Sequence, residues 1–170
     1  MDSHIPVLLN QVIHFLAPVP GKIFIDCTLG YAGHTEALLE SLQGKGAVYG
    51  IDVDDRNLAL AKERLSAYSN VHFIRSNFEN LEEIAGKVLA DEKRIDGILF
   101  DLGLSSLHVD AAERGFSFQH EGPLDMRFDI NQRLTAADIV NTYSYEDLLY
   151  IFKTYGEEKF SHRIAGEIVT

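Results

Sequence analysis

The stretch from Asp26 to His34, DCTLGYAGH, carries a carboxylate, two glycines and an imidazole between an apolar run and an amphipathic one. Dinucleotide loops need Gly-x-Gly-x-x-Gly so that a pyrophosphate can approach a helix N-terminus, and P-loops end in Gly-Lys-Ser or Gly-Lys-Thr. Neither pattern is present, because the glycines of this loop are Gly30 and Gly33. The acid at the head of the loop would repel a phosphate. The loop therefore favours a ligand with a cationic amino-acid end and a sulfonium.

Residue types suited to ligand binding follow each of the four predicted strands. They are Asp26, Asp52, the pair Asn77 and Phe78, and Asp101. In a parallel sheet these carboxyl ends share one edge, where ligands bind at the point of strand-order reversal. Asp52 is placed to bind ribose hydroxyls, and Phe78 to stack on or wall an adenine. Together the residues predict S-adenosylmethionine. The structural alternative is that Asp26 and Asp52 only cap the helices that follow them.

Apolar periodicity in the first hundred residues predicts alternating strands and helices. The predicted strands cover 22–26, 47–52, 71–74 and 95–101, and the predicted helices cover 5–16, a segment from about 34, 56–67 and 79–90. Near-continuous apolar strands separated by helices are typical of a doubly wound parallel sheet in an α/β protein. Four strands make an incomplete sheet with a bare edge, where two chains could pair as a homodimer. We therefore expect either the N-terminal part of a longer enzyme, truncated at its C-terminus, or a shortened relative. The alternative is a compact four-stranded domain whose edge the helices cover.

The pattern changes after Asp101. A loop-rich stretch at 102–134 precedes helical segments whose starts carry capping-box spacing, at Thr135 with Asp138 and at Ser144 with Asp147. We predict two parts, a Rossmann-like domain at 1–105 and a small helical insertion or substrate-recognition region at 106–170.

Composition excludes several classes of protein. The chain has 170 residues, is 46% hydrophobic and carries a net charge of −11. Neither half is basic, so bulk charge does not support nonspecific nucleic-acid binding. The single cysteine, Cys27, excludes a disulfide framework and a cysteine-built zinc site, and we expect it to be a buried thiol. No run reaches the length of a membrane span, no metal site is indicated, and a cytoplasmic location is expected.

Five further motifs have long and unusual sequences. They are HIPVLL at 4–9, FDLGLSSLHVD at 100–110, ERGFSF at 113–118, GPLDMRFD at 122–129 and YGEEKFSHRIAGEIV at 155–169. With the DCTLGYAGH loop they resemble the bacterial-type small-subunit (16S) rRNA cytosine-N4-methyltransferase family. The resemblance covers residues 4–169.

The resemblance implies a class I methyltransferase fold that is S-adenosylmethionine-dependent, with a small helical insertion after the fourth strand. It implies methylation of the exocyclic N4 amine of a cytidine in the decoding region, so that the partner is the rRNA of the small ribosomal subunit. By motif position it implies cofactor contacts at Ala32, Gly33, His34, Asp52, Phe78, Asp101 and His108.

This sequence departs from the family pattern at three points. Ala32 stands where the family usually has glycine, and His108 where it commonly has glutamine. Family members also continue well beyond the length of this chain, which bears on turnover more than on cofactor binding.

Asp101 is the candidate for a catalytic role. The lone pair of a cytosine amine is delocalised into the ring, so a carboxylate that accepts an amine N–H would orient this poor nucleophile. Asp101, directly after the fourth strand, is the best-placed acceptor. A cofactor contact and a simple loop or helix cap stay open for the same residue.

The later motifs have two interpretations each. Asp125 and Arg127 either pair with each other, or Arg127 and Arg114 meet RNA phosphates. Phe116 and Phe118 either stack a splayed base or belong to a core.

Three functions compete at this point. The first is an rRNA cytidine-N4 methyltransferase or a part of one. The second is a shortened relative that binds the cofactor or the ribosome without turnover. The third is a nicotinamide-dependent oxidoreductase, against which the missing Gly-x-Gly-x-x-Gly argues.

Overall fold

A computed structural model describes residues 6–104 and 109–170. The chain forms two compact units, Met1–Gly103 and Leu104–Thr170. The boundary between them lies close to the division predicted between residues 105 and 106.

The first unit contains a parallel four-stranded sheet with the order β3-β2-β1-β4. Its elements are α1 (Leu9–Leu16), β1 (Ile23–Asp26), α2 (Gly33–Leu42), β2 (Ala47–Asp52), α3 (Asp55–Arg64), β3 (Val71–Arg75), a one-turn 3₁₀ helix (Phe78–Asn80), α4 (Leu81–Glu92) and β4 (Gly97–Leu99). The chain runs outward from β1 to β3 and then returns to the other side of β1. This confirms the incomplete doubly wound Rossmann-like sheet, and it places the reversal of strand order between β1 and β4.

Both faces of the sheet are buried, because successive strand residues point to opposite sides. Phe24 of β1 packs in a cluster with residues of α2 and α3. Its neighbours Ile23 and Ile25 pack on the other face with Ile84 and Val88 of α4. Burial on both faces explains why the strands read as continuous apolar runs instead of alternating ones.

β4 is shorter than the predicted segment 95–101, for a local reason. After Leu99 the backbone leaves the ladder, because the Asp101 N–H donates to the Thr28 hydroxyl at 2.7 Å. At the other end, the Asp96 carboxylate accepts the Ile23 N–H at 2.9 Å in place of a main-chain partner. Side chains thus delimit the strand. In the part of the chain that the structure describes, β4 pairs with β1 alone, so its second edge is the one that the sequence predicts to be bare.

Other element boundaries shift by a few residues. α1 begins at Leu9 instead of near residue 5, which itself lies outside the described residues, and α3 ends at Arg64 instead of Ala67. α4 is preceded by the 3₁₀ turn, whose start is capped when the Asn77 side chain accepts the Glu79 N–H.

In the described part of the second unit, a loop-rich stretch with a one-turn 3₁₀ helix (Ala112–Arg114) precedes the helices α5 (Ala136–Thr142), α6 (Tyr145–Thr154) and α7 (Ser161–Val169). The predicted capping box is confirmed at α5, where Thr135 and Asp138 exchange side-chain-to-backbone hydrogen bonds. At α6 the Ser144 hydroxyl accepts the Asp147 N–H at 3.1 Å. None of the helices among the described residues is long and apolar enough to cross a bilayer.

Candidate functional site

The loop between β1 and α2 lies against the carboxyl end of β2. The Leu29 N–H donates to the Ile51 carbonyl at 3.0 Å, and the Leu29 side chain is buried. A β-carbon at Gly50 would lie 2.6 Å from Leu29 Cδ1, so a glycine in β2 leaves the room that the loop occupies. The loop is therefore held next to the strand that carries Asp52.

Asp26 is buried, with 1% of its surface exposed. Its carboxylate accepts the Thr28 N–H at 3.1 Å and the Thr35 hydroxyl at 2.7 Å. Burial raises the pKa of this carboxyl, while the hydrogen bonds from Thr35 and Thr28 act in the opposite direction. The expectation that Asp26 meets the cationic end of a ligand is wrong, because its oxygens are enclosed within the protein. Asp26 instead ties the loop to the first turn of α2.

Asp52 joins the loop to the start of α3. Its carboxylate accepts the Gly30 N–H at 2.9 Å, the Asp54 N–H at 2.9 Å and the Asn57 amide at 3.1 Å. The Asn57 amide also lies 3.3 Å from the other carboxylate oxygen, so each oxygen has two protein contacts. The side chain is half-buried. The carboxylate thus holds the loop and the start of α3, as the capping alternative predicts, and the ribose contact stays a prediction.

Ala32 occupies the N-cap of α2 in the left-handed region, with φ 60° and ψ 23°. Left-handed backbone favours glycine, which explains why the family usually has glycine at this position. The methyl group itself is fully buried in the core beside Leu29, so it does not narrow the exposed side of the loop. The N-cap makes no side-chain hydrogen bond to the helix.

Gly33 and His34 are the first two residues of α2, and they contact Pro6 and Val7 of the segment that precedes α1. His34 is 7% exposed, and its Nε2 lies 2.9 Å from the Val7 carbonyl oxygen. Its Nδ1 lies 3.8 Å from Asp101 Oδ2. A β-carbon at Gly33 would lie 2.4 Å from Pro6 Cγ, so only glycine permits this approach.

Asp101 is the carboxylate at this edge that is open to solvent, with a side-chain exposure of 49%. Its backbone is fixed by the Thr28 hydroxyl, and Thr28 is fixed in turn by Asp26. Thr28 was not predicted as a site residue. A hydroxyl residue two positions after a strand-end Asp is the turn signal that could have identified it.

Phe78 and Phe100 meet edge to face, with ring centroids 5.7 Å apart. Both rings are exposed. Phe78 was predicted as an adenine contact, whereas Phe100 was not singled out. His108, the remaining predicted contact, lies outside the described residues.

Two arginines of the second unit, Arg114 and Arg127, are engaged within that unit. Arg127 donates to both Asp125 oxygens at 2.9 and 2.7 Å, which confirms the predicted pair. Its hydrogen bonds and charge lower the pKa of Asp125 to about 2. Arg114 is buried and donates to the carbonyl oxygens of Arg127 and Phe128 at 2.8 and 2.9 Å. The interpretation of Arg114 and Arg127 as phosphate contacts is therefore not supported.

The aromatic residues of ERGFSF divide into two environments. Phe116 packs against Phe128 with ring centroids 5.1 Å apart, which is a structural contact. Phe118 is 98% exposed.

Among the described residues, no group of three or more His, Cys, Asp or Glu could hold a metal ion. Cys27 is buried as expected, and burial raises the pKa of its thiol to about 11.

Comparison with known proteins adds family information. The model of the MraW methylase family matches residues 1–170. The protein named ribosomal RNA small subunit methyltransferase H in Caldicellulosiruptor bescii is 48% identical over 169 residues, which make up 99% of this chain and 54% of that protein. The protein of that name in Dehalococcoides mccartyi is 49% identical over 167 residues, or 98% of this chain and 47% of that protein. The chain thus spans about half the length of the curated relatives it matches.

Among solved structures, an rRNA methylase from Streptococcus thermophilus is 29% identical and covers 48% of this chain and 50% of its own, with a TM-score of 0.39. A score at that level does not establish a shared fold, so the fold assignment here relies on the observed sheet topology.

The raised pKa of Asp26 predicts a pH effect on stability. A carboxyl whose pKa is higher in the folded state stabilises the fold most below its ordinary value of 3.8, and that contribution is lost as the pH rises through the folded-state pKa. Asp26→Asn keeps an oxygen for the Thr28 N–H and can donate to the Thr35 hydroxyl. In urea titrations we expect the free energy of unfolding of the wild type, relative to D26N, to fall as the pH rises above 3.8 towards the folded-state pKa of Asp26. Asp91→Asn, on an exposed position of α4, is the control, and a pH-independent difference for D26N would contradict the assignment.

The left-handed backbone of Ala32 predicts tolerance of glycine. Relief of about 1–2 kcal/mol of left-handed strain offsets the entropy of glycine and the loss of a buried methyl. We expect Ala32→Gly to change the free energy of unfolding by less than about 1 kcal/mol. Ala61→Gly, at an equally buried but helical position in α3, is expected to cost about 2 kcal/mol. Equal losses for the two variants in chemical denaturation would refute the backbone explanation.

Proposed function

This chain belongs to the MraW methylase family, and we propose that its first unit binds S-adenosylmethionine as part of an rRNA cytidine-N4 methyltransferase. The observation that carries the proposal is the loop between β1 and α2, which Asp52 holds at the carboxyl edge of the sheet beside the exposed carboxylate of Asp101. The relatives that carry the methyltransferase name are about twice as long. Activity, substrate and partner therefore all belong to the proposal.

The residues at this edge fit the cofactor chemically. Asp52 is half-buried at this edge, and a ribose hydroxyl could take the place of the longest of its protein contacts, the 3.3 Å one from Asn57. Phe78 presents an exposed ring for the adenine. The start of α2 at Gly33 has no side-chain cap, so its backbone N–H groups suit the carboxylate of the methionine part. When bound, S-adenosylmethionine supplies an electrophilic methyl group on a sulfonium.

Charge favours this ligand over a dinucleotide. Asp52 and Asp101 both lie at the edge where the ligand would bind, and a pyrophosphate there would meet two carboxylates. An ammonium and a sulfonium would instead be stabilised. Family membership and the missing dinucleotide pattern leave the oxidoreductase alternative without support.

Asp101 is the residue proposed to act on the acceptor. Its carboxylate is half exposed while its backbone is held by Thr28, so it can accept an N–H without moving its strand end. Accepting a hydrogen bond from the cytosine amine would orient the nitrogen for in-line attack, which is the contribution that positioning makes to catalysis. The contact between Asp101 and the cofactor that the resemblance implies belongs to the same proposal.

The proposed substrate is the rRNA of the small ribosomal subunit, and the proposed location is the cytoplasm. The acidic composition requires that any RNA contact be local, and the exposed ring of Phe118 is one place where a base could stack. Pairing of two chains through the β4 edge stays a prediction.

Calorimetry with S-adenosylmethionine tests the cofactor part. We expect saturable binding that Asp52→Ala weakens about tenfold or more, because the variant removes a charged acceptor and releases the loop at Gly30. Asp55→Ala, at an exposed acid at the start of α3, is the matched control and should bind within about twofold of the wild type. Absence of heat from the intact chain would refute cofactor binding.

Transfer of a labelled methyl group into small-subunit rRNA tests the enzymatic part. We expect incorporation at a cytidine N4, and we expect Asp101→Asn to slow it about a hundredfold while cofactor affinity changes less. If the wild-type chain binds the cofactor but transfers no methyl, the second interpretation is favoured, in which the chain binds without turnover.

A further inference from the structure

The imidazole of His34 connects two parts of the first unit that are distant in sequence. Nε2 lies 2.9 Å from the Val7 carbonyl oxygen, and Nδ1 lies 3.8 Å from Asp101 Oδ2. A carbonyl oxygen only accepts hydrogen bonds, so Nε2 is the donor to Val7, whereas the 3.8 Å between Nδ1 and Asp101 Oδ2 is too long for a hydrogen bond. The ring is buried, and its two nitrogens face the segment before α1 and the carboxylate after β4. Its side chain is therefore engaged with protein groups instead of being open to a cofactor.

A second contact fixes the same segment. A β-carbon at Gly33 would lie 2.4 Å from Pro6 Cγ and 3.2 Å from Pro6 Cδ. The proline ring thus occupies the space that a side chain at the first residue of α2 would fill. With the Val7 carbonyl on His34, two adjacent residues of the segment are anchored to two adjacent residues of α2.

The anchored segment exposes apolar side chains. Val7 and Leu8 are 63% and 62% exposed, and Leu8 has a left-handed backbone with φ 54°. A non-glycine residue in this conformation is strained, and it persists where surrounding contacts impose it. The backbone is thus held in a state that leaves two apolar side chains exposed, in the segment whose Val7 carbonyl contacts the same imidazole that faces Asp101.

We propose that Pro6–Leu8 forms a wall of the acceptor side of the site, and that His34 is the positioning residue that holds this wall at Asp101. The proposal rests on the proposed function, which brings an amine on a flat ring to Asp101. Such a base has an apolar face and a hydrogen-bonding edge, and it fits an apolar wall beside a carboxylate. The apolar side chains of Val7 and Leu8 would not stabilise the charged ammonium end of the cofactor.

Two substitutions separate the contacts of His34. The amide nitrogen of Gln reaches about the position of Nε2, whereas that of Asn reaches about the position of Nδ1. His34→Gln should keep the donor to Val7, and His34→Asn should lose it. We expect hydrogen exchange of the amides from Val7 to Ile13 to rise about tenfold or more in H34N and to stay within about threefold of wild type in H34Q. His120→Asn, on an exposed position of the second unit, is the control. Equal exchange in H34Q and H34N would overturn the role of His34.

Methyl-labelled valine and leucine report on the wall itself. With cytidine 5′-monophosphate as probe, we expect the methyl signals of Val7 and Leu8 to shift in wild type and H34Q, and not in H34N. If these methyl signals do not shift in the wild type, Pro6–Leu8 does not contact the base, and the proposed wall is refuted whether or not the cofactor binds. Calorimetry with S-adenosylmethionine on the same samples keeps the two failures distinct, because loss of cofactor binding alone overturns the proposed function and leaves the methyl result standing.

Discussion

The hydrogen bond from the Gly30 N–H to the Asp52 carboxylate is the contact on which the rest of the candidate site depends. It joins the loop after β1 to the end of β2, two strands that pair in the sheet. A hydrogen bond to a charged group contributes about 1.5–3 kcal/mol, enough to select one loop conformation. From that loop a second set of bonds runs from Asp26 through Thr28 to the Asp101 amide. The ends of three strands are thus fixed relative to one another by side chains of the edge where a ligand would bind.

Three strand-end aspartates have three different tasks because their burial differs. Asp26 is enclosed and holds the loop to α2. Asp52 is half-buried and holds the loop to the start of α3. Asp101 is open and carries the charge that a ligand or an amine would meet. One residue type, repeated at equivalent points of a parallel sheet, thus fixes the edge of the sheet and leaves one exposed carboxylate at its surface.

Hydrophobic periodicity was sufficient to predict the sheet, its helices and the strand-end residues, because each of these depends on residues close in sequence. The burial of Asp26 was not predictable in this way, since it depends on Thr35 on the next helix. The same holds for His34, whose partner Val7 precedes another helix, and for the short β4, which ends where Thr28 captures Asp101. Family resemblance supplied the expectation of glycine at position 32, and the left-handed backbone of Ala32 supplies its physical reason.

If the loop that Asp52 holds is the cofactor site, its amides must respond to S-adenosylmethionine. The measurement is a backbone amide spectrum of the isotope-labelled chain, titrated with S-adenosylmethionine. We expect the largest shifts on the amides of Gly30, Gly33 and Asp101, and we expect Asp52→Asn to abolish the response at Gly30. Shifts confined to residues 109–170, or a Gly30 response that survives D52N unchanged, would contradict this assignment of the cofactor site.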